Sequence, residues 1–170
     1  MQTVQDSKMG EEVARSLLGG SGFAGFSFST QFTLRFSRSR PDTYAGKALP
    51  AEIEIVLHGS WRFGEENEWR EHVTRIAPTN AVEPEEPVQA WDLAHLRWTD
   101  GATVQSLLIA DGALSICFEN GRILTALAET DGGDTAWAIA VAGVPEPDSS
   151  WSVVSAGGEV FVRTPHPGGD

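Results

Sequence analysis

The sequence predicts a mainly β protein of α+β type. Two related antiparallel β-meanders share one compact domain with a short N-terminal helix and one or two short connecting helices. Three observations predict this. Apolar residues alternate with polar ones at period two over much of the chain, the pattern of strands with one buried face. Tight-turn pairs such as Asp111-Gly112 and Asn120-Gly121 separate these stretches at hairpin spacing. The 170 residues, 41% of them hydrophobic and six of them tryptophan, suffice for one well-filled core and not for a large multidomain enzyme.

Residues 1–20 hold the N-terminal helix, over 7–18. Ser7 is placed to cap it, Glu11 and Glu12 lie early in it, Val13, Leu17 and Leu18 give it an apolar stripe, and Gly19-Gly20 ends it. Residues 21–80 form the first meander. Phe26 and Phe28 mark one strand, Phe32, Leu34 and Phe36 the next, and Ile53, Ile55 and Leu57 a third that leads into the run from His58 to Phe63. Asn67 can cap a turn or two of helix before Pro78 stops it. Residues 81–97 are an acidic, proline-containing connector with a short helix over 88–96. Residues 98–165 are the second meander, with strands at 103–109, 113–118, 122–127, 136–141, 151–155 and 159–163, and 166–170 is a tail.

The two meanders share a pattern. Phe23-x-x-Phe26-x-Phe28 followed by Phe32-x-Leu34-x-Phe36 matches Val104-x-x-Leu107-x-Ile109 followed by Leu114-x-Ile116-x-Phe118, with one extra residue in the second turn. Each copy continues to an apolar strand and a tryptophan, Trp61 in the first and Trp137 in the second. An internal duplication is the simplest account, and it predicts that Leu34, Phe36, Ile116 and Phe118 point into one interior. It also predicts that Cys117, the single cysteine, is buried and unreactive beneath the other half.

On the run Val104 to Phe118, with Asp111-Gly112-x-Leu114-x-Ile116-x-Phe118-x-Asn120-Gly121, together with Thr135-Ala136-Trp137-Ala138-Ile139 and the run Val153-Val154-Ser155-x-Gly157-Gly158-Glu159-Val160, the chain resembles an uncharacterised family of small, mainly actinobacterial β-rich proteins, a domain of unknown function. The resemblance spans residues 18–163 and departs from the family in the long loop 38–50. Its motifs are turn and core signatures, so it implies an architecture and carries over no catalytic residue.

The formal net charge of −12 repels the phosphate backbone and argues against nucleic acid as a partner. Its distribution is lopsided: residues 1–75 carry nine basic and ten acidic side chains, whereas residues 76–170 carry three arginines against fourteen acids. The acids of the second half gather in loop-like sequence, at Glu83, Glu85 and Glu86, at Asp131 and Asp134, and at Glu146 and Asp148. These seven are the candidate partner-binding residues, because acidic loops accelerate encounter with a basic protein and select for it. The N-terminal ten residues lack the apolar run of an export signal, the stretch 135–144 is about half the length of a membrane span, and one cysteine allows no internal disulfide. The expected setting is therefore cytoplasmic, away from membranes.

No catalytic, metal or cofactor motif is visible. His58, His72, His95 and His166 lack the short spacing of metal ligands. Asp131-Gly-Gly-Asp134 offers too few oxygens for calcium and reads as a turn. The glycines at 19, 20 and 22 follow a helix, the wrong order for a phosphate cradle. Glu65, Glu66, Glu68 and Glu71 beside Trp61 and Trp69 suggest the paired carboxylates of a glycosidase, but interleaved Arg62, Arg70 and Arg75 favour a salt-bridged surface. The sequence thus points to a protein that is not an enzyme and needs no cofactor. The expected function is binding, most concretely as an immunity-type antitoxin that masks the basic active-site surface of a bacterial toxin. The alternative is a small-ligand or carbohydrate-binding β domain that uses exposed tryptophans.

Overall fold

Period-two alternation gives most of the longer strands one apolar face, and a computed structural model shows two antiparallel sheets closed on each other through those faces. The structure describes residues 3–64, 66–76, 86–130 and 134–165. In chain order the elements are β1 (Thr3–Gln5), α1 (Ser7–Leu18), β2 (Gly22–Phe28), β3 (Phe32–Ser37), β4 (Thr43–Tyr44), β5 (Lys47–Ala48), β6 (Glu52–Leu57), β7 (Trp61–Phe63), α2 (Glu66–Ile76) and α3 (Glu86–Trp98). There follow β8 (Val104–Ala110), β9 (Ala113–Phe118), β10 (Ile123–Ala126), β11 (Thr135–Val141), a 3-10 turn (Glu146–Asp148), β12 (Ser152–Ala156) and β13 (Glu159–Arg163).

The larger sheet has the order β1-β13-β12-β11-β6-β3-β2 and the smaller β7-β10-β9-β8, with β4 and β5 paired apart. Each half therefore builds a three-strand meander and then sends its next strand across to the other half. β7 leaves the first half to pair with β10, and β11 leaves the second to pair with β6. The two crossings run side by side: Leu127 N donates to Ser60 O at 2.9 Å, and His58 N and Gly59 N both donate to Ala136 O at 2.9 Å.

Registers match as well as strand orders. In the larger sheet one inward row runs Phe28-Phe32-Leu57-Trp137 and the next Phe26-Leu34-Ile55-Ile139. In the smaller sheet the corresponding rows are Ile109-Leu114-Ala126-Trp61 and Leu107-Ile116-Leu124-Phe63. Leu34, Phe36, Ile116 and Phe118 all point into one core, each no more than 1% exposed. There Phe36 and Phe118 stack, with ring centres 6.4 Å apart, and Phe23 meets both edge-on.

Beyond the shared plan the halves differ. β12, β13 and β1 extend the larger sheet past β11, and α1 packs on β8, β12 and β13, burying Val13, Ala14, Leu17 and Leu18. The helix cap is Asp6 and not Ser7: the Asp6 carboxylate accepts from Met9 N at 2.9 Å, since the helix begins at Ser7 and the capping side chain stands one residue outside it. At the other end Arg38, from the long loop, donates to Ser16 O and Leu17 O and satisfies carbonyls of the last turn. β1 and the β4–β5 pair are strands that period-two reading passes over, being two or three residues long. Cys117 is half-buried rather than buried, because it lies on the outer face of the smaller sheet.

Candidate functional site

The matched rows end differently. In the second half Leu107 and Ile109 are 3% and 7% exposed and Trp137 is fully buried. Their counterparts Phe26 and Phe28 are 39% and 65% exposed, and Trp61 is half-buried. The physical difference is the cover. α1 lies across the edge of β8, where Glu11 Oε2 accepts from Ile109 N at 3.1 Å, and β12 extends the sheet beyond Trp137. Trp137 in turn donates from Nε1 to Gly112 O at 2.8 Å, and Ser155 Oγ donates to the same carbonyl.

In the first half α3 packs against β2 and β7 and leaves Phe26 and Phe28 of β2 in solvent. Gly101 N donates to Phe23 O and Phe23 N to Ala102 O, so the backbone just after α3 seals the start of β2. Asp92 of α3 is 4% exposed and its Oδ1 accepts from Phe63 N at 2.9 Å, on the edge of β7 that no described strand pairs. Burial raises the Asp92 carboxyl to about 6, against the opposing pull of that hydrogen bond and of the Arg62 charge. Towards the hairpin tip, Phe28, Phe32 and Trp61 form a continuous aromatic run, with ring centres 4.7 Å and 4.9 Å apart. Beyond Phe23 the outer edge of β2 pairs with no strand among the described residues.

A cleft of about 320 Å³ is lined by Gly64, Glu68, His95, Gly121, Arg122 and Ile123. The His95 ring packs between Phe63, 5.5 Å away, and Trp91, 4.4 Å away. Arg122 Nη1 donates to Trp98 O at 3.0 Å and its guanidinium lies 5.5 Å from the Trp98 ring, which is 57% exposed. Among the described residues no group of three or more His, Cys, Asp or Glu side chains converges on a point that could hold a metal ion. No helix among them is long and apolar enough to cross a membrane.

No protein-family model, curated protein or solved structure matches the chain.

Among the described residues the acidic candidates do not gather in one place. Asp134 immediately precedes β11 and is exposed, while Glu146 and Asp148 lie in the 3-10 turn that follows it, at the opposite end of the strand. Glu146 is also engaged internally: it accepts from Ser152 Oγ at 3.1 Å and its carboxylate lies 3.7 Å from Arg163. Asp148 is exposed. Glu83, Glu85 and Asp131 lie outside the described residues, and Glu86 opens α3. The Asp134 end is the one that carries the aromatic run, because the row through Trp137 and Leu57 terminates in Phe32 and Phe28. Exposed Glu129 joins it there, its carbonyl packed against Gly59 two residues before Trp61.

Alternation puts Phe26 and Phe28 on one face of their strand and carries no signal for their exposure, which is decided by what packs over that face. Asp92 was equally hidden, since its partner is a backbone N–H from a strand 29 residues earlier.

Proposed function

We propose that the protein is a non-enzymatic binding protein that docks a basic protein partner on the aromatic end formed by Phe26, Phe28, Phe32 and Trp61. The observation that carries this is the contrast between matched rows: the same inward positions are covered by α1 and β12 in one half and left open in the other. Large aromatic side chains in solvent are the usual anchors of an interface. The net charge of −12, with Glu129 and Asp134 beside the opening, favours a basic surface. An immunity-type antitoxin that masks the basic active-site surface of a bacterial toxin is the function class this fits.

Affinity capture from the native cell tests the reading when the chain is compared with its Phe26→Ser/Phe28→Ser variant. A stoichiometric basic protein captured by the first, and at least tenfold less by the second, is the expected result. Equal capture by both overturns it. A second reading has its own observation, the cleft beside exposed Trp98 and Arg122, which suits a small polar ligand or sugar stacked on the indole. Under that reading an oligosaccharide panel quenches tryptophan fluorescence in the parent chain and not in Trp98→Ala.

A further inference from the structure

The opposite end of the molecule indicates what shape fills the open one. We infer that the aromatic end receives an amphipathic α-helix of the partner, with its apolar stripe on Phe26, Phe28, Phe32 and Trp61 and basic side chains facing Glu129 and Asp134. The inference deepens the function just proposed and rests on it.

Three observations select a helix. First, the matched edge, β8, is covered in this fold by a helix and not by another strand: α1 lies on it with Val13, Ala14, Leu17 and Leu18 buried. Second, that helix supplies a side-chain acceptor to the strand edge, Glu11 Oε2 to Ile109 N, and Ile109 holds the register position of Phe28. Third, the exposed apolar side chains lie on two successive inward rows at the end of the sheet, Phe28 on one and Phe26 on the next. Rows two residues apart along a strand are about 7 Å apart, which a helix roughly 10 Å across spans with residues at i, i+3 and i+4. Helices that recognise grooves do so with this spacing.

Charge chooses the polar face of that helix. Glu129 and Asp134 are exposed and belong to the crossing segment: the Glu129 carbonyl lies against Gly59, two residues before Trp61, and Asp134 stands two residues before Ala136, whose carbonyl accepts from His58 N and Gly59 N. Three strand steps separate β11, which Asp134 precedes, from β2. That is about 14 Å, within the reach of one helix and its lysine or arginine side chains.

The test uses the full chain and two synthetic 18-residue helical peptides with the same leucine stripe, one with a lysine polar face and one with a glutamate polar face. Fluorescence anisotropy is expected to show the lysine peptide binding at least tenfold tighter than the glutamate peptide. Phe26→Ser/Phe28→Ser should lower its affinity at least tenfold, and Asp134→Lys should lower it severalfold. Leu108→Ser, which removes an exposed apolar side chain from the outer face of the smaller sheet, should leave it unchanged. Circular dichroism and thermal melts establish that each variant is folded. Equal affinity for the parent chain and the double phenylalanine variant overturns the inference. So does tighter binding of a leucine–lysine peptide written at period two, which would add to the edge of β2 as a strand; that outcome removes the helix and leaves the function reading intact. Capture of the native partner that survives the double substitution removes both.

Discussion

Asp92 shows how one side chain can bind two elements and still cost stability. Its carboxylate closes the edge of β7 through Phe63 N, yet burial raises it to about 6 from an ordinary 3.8. Between those values the folded protein holds a proton that the unfolded chain has released, so stability falls as pH rises from about 4 to about 6 and levels off above. The corresponding loss is at most about 3 kcal/mol. Asp92→Asn keeps a carbonyl acceptor for Phe63 N and cannot titrate. Denaturant melts at pH 4 and pH 6.5 should therefore show the parent chain losing stability relative to the variant, and parallel behaviour of the two would refute the assignment. Cys117 is the other residue whose fate depends on cover. Half-buried on the outer face of the smaller sheet, it should react with a thiol reagent in the native state without prior unfolding. Reaction only after denaturant is added would place the thiol deeper than the structure does.

At the scale of elements, the matched rows make paired substitutions informative. Ile109→Ser removes a side chain 7% exposed beneath α1 and should cost about 3 kcal/mol, as large core truncations do. Phe28→Ser, at the same register position in the first half, removes one that is 65% exposed and should cost less than about 1 kcal/mol. Similar losses at both sites, read by thermal or chemical melts, would show that the open end is not open. α1 itself is fitted closely: a Cβ on Gly10 would lie 2.5 Å from Val160 Cγ1, and Val160 is 1% exposed. Gly10→Ala gains about 1 kcal/mol in helix propensity but overpacks this contact, so a net loss of up to about 2 kcal/mol is expected. Adding Val160→Ala should recover part of it, a coupling that a double-mutant cycle measures. Much of this layer was legible in the sequence. The alternation at Phe32, Leu34 and Phe36 and at Leu114, Ile116 and Phe118 gives both central strands, and Asp111-Gly112, with φ of 49° and 75°, makes the tight turn those residue types favour. What alternation cannot carry is partnership. That β7 pairs with β10 and β11 with β6, or that Thr3–Gln5 closes on β13, is decided between elements far apart in the chain.

For the whole molecule, exchange of β7 and β11 ties the two halves into one core, and it leaves the protein with two ends that are alike in register and unlike in cover. On the proposed function the net charge favours a basic partner without fixing where it lands, because the described acids lie at both ends of β11. Two substitutions separate place from total. Asp134→Lys and Asp148→Lys each raise the net charge of −12 by two, and both alter exposed side chains outside the core. Long-range steering responds to either, so at low salt both should slow association somewhat. Screening then divides them: at physiological ionic strength the Debye length is about 8 Å, so only a charge close to the docked partner still counts. If the partner docks on the aromatic end, Asp134→Lys continues to slow association there and weakens its dependence on salt, while Asp148→Lys becomes indistinguishable from the parent chain. Stopped-flow or surface-based kinetics against the captured partner read this directly. The reverse ordering would move the interface to the 3-10 turn and its neighbours Ser152 and Arg163, and the exposed phenylalanines would then need another explanation.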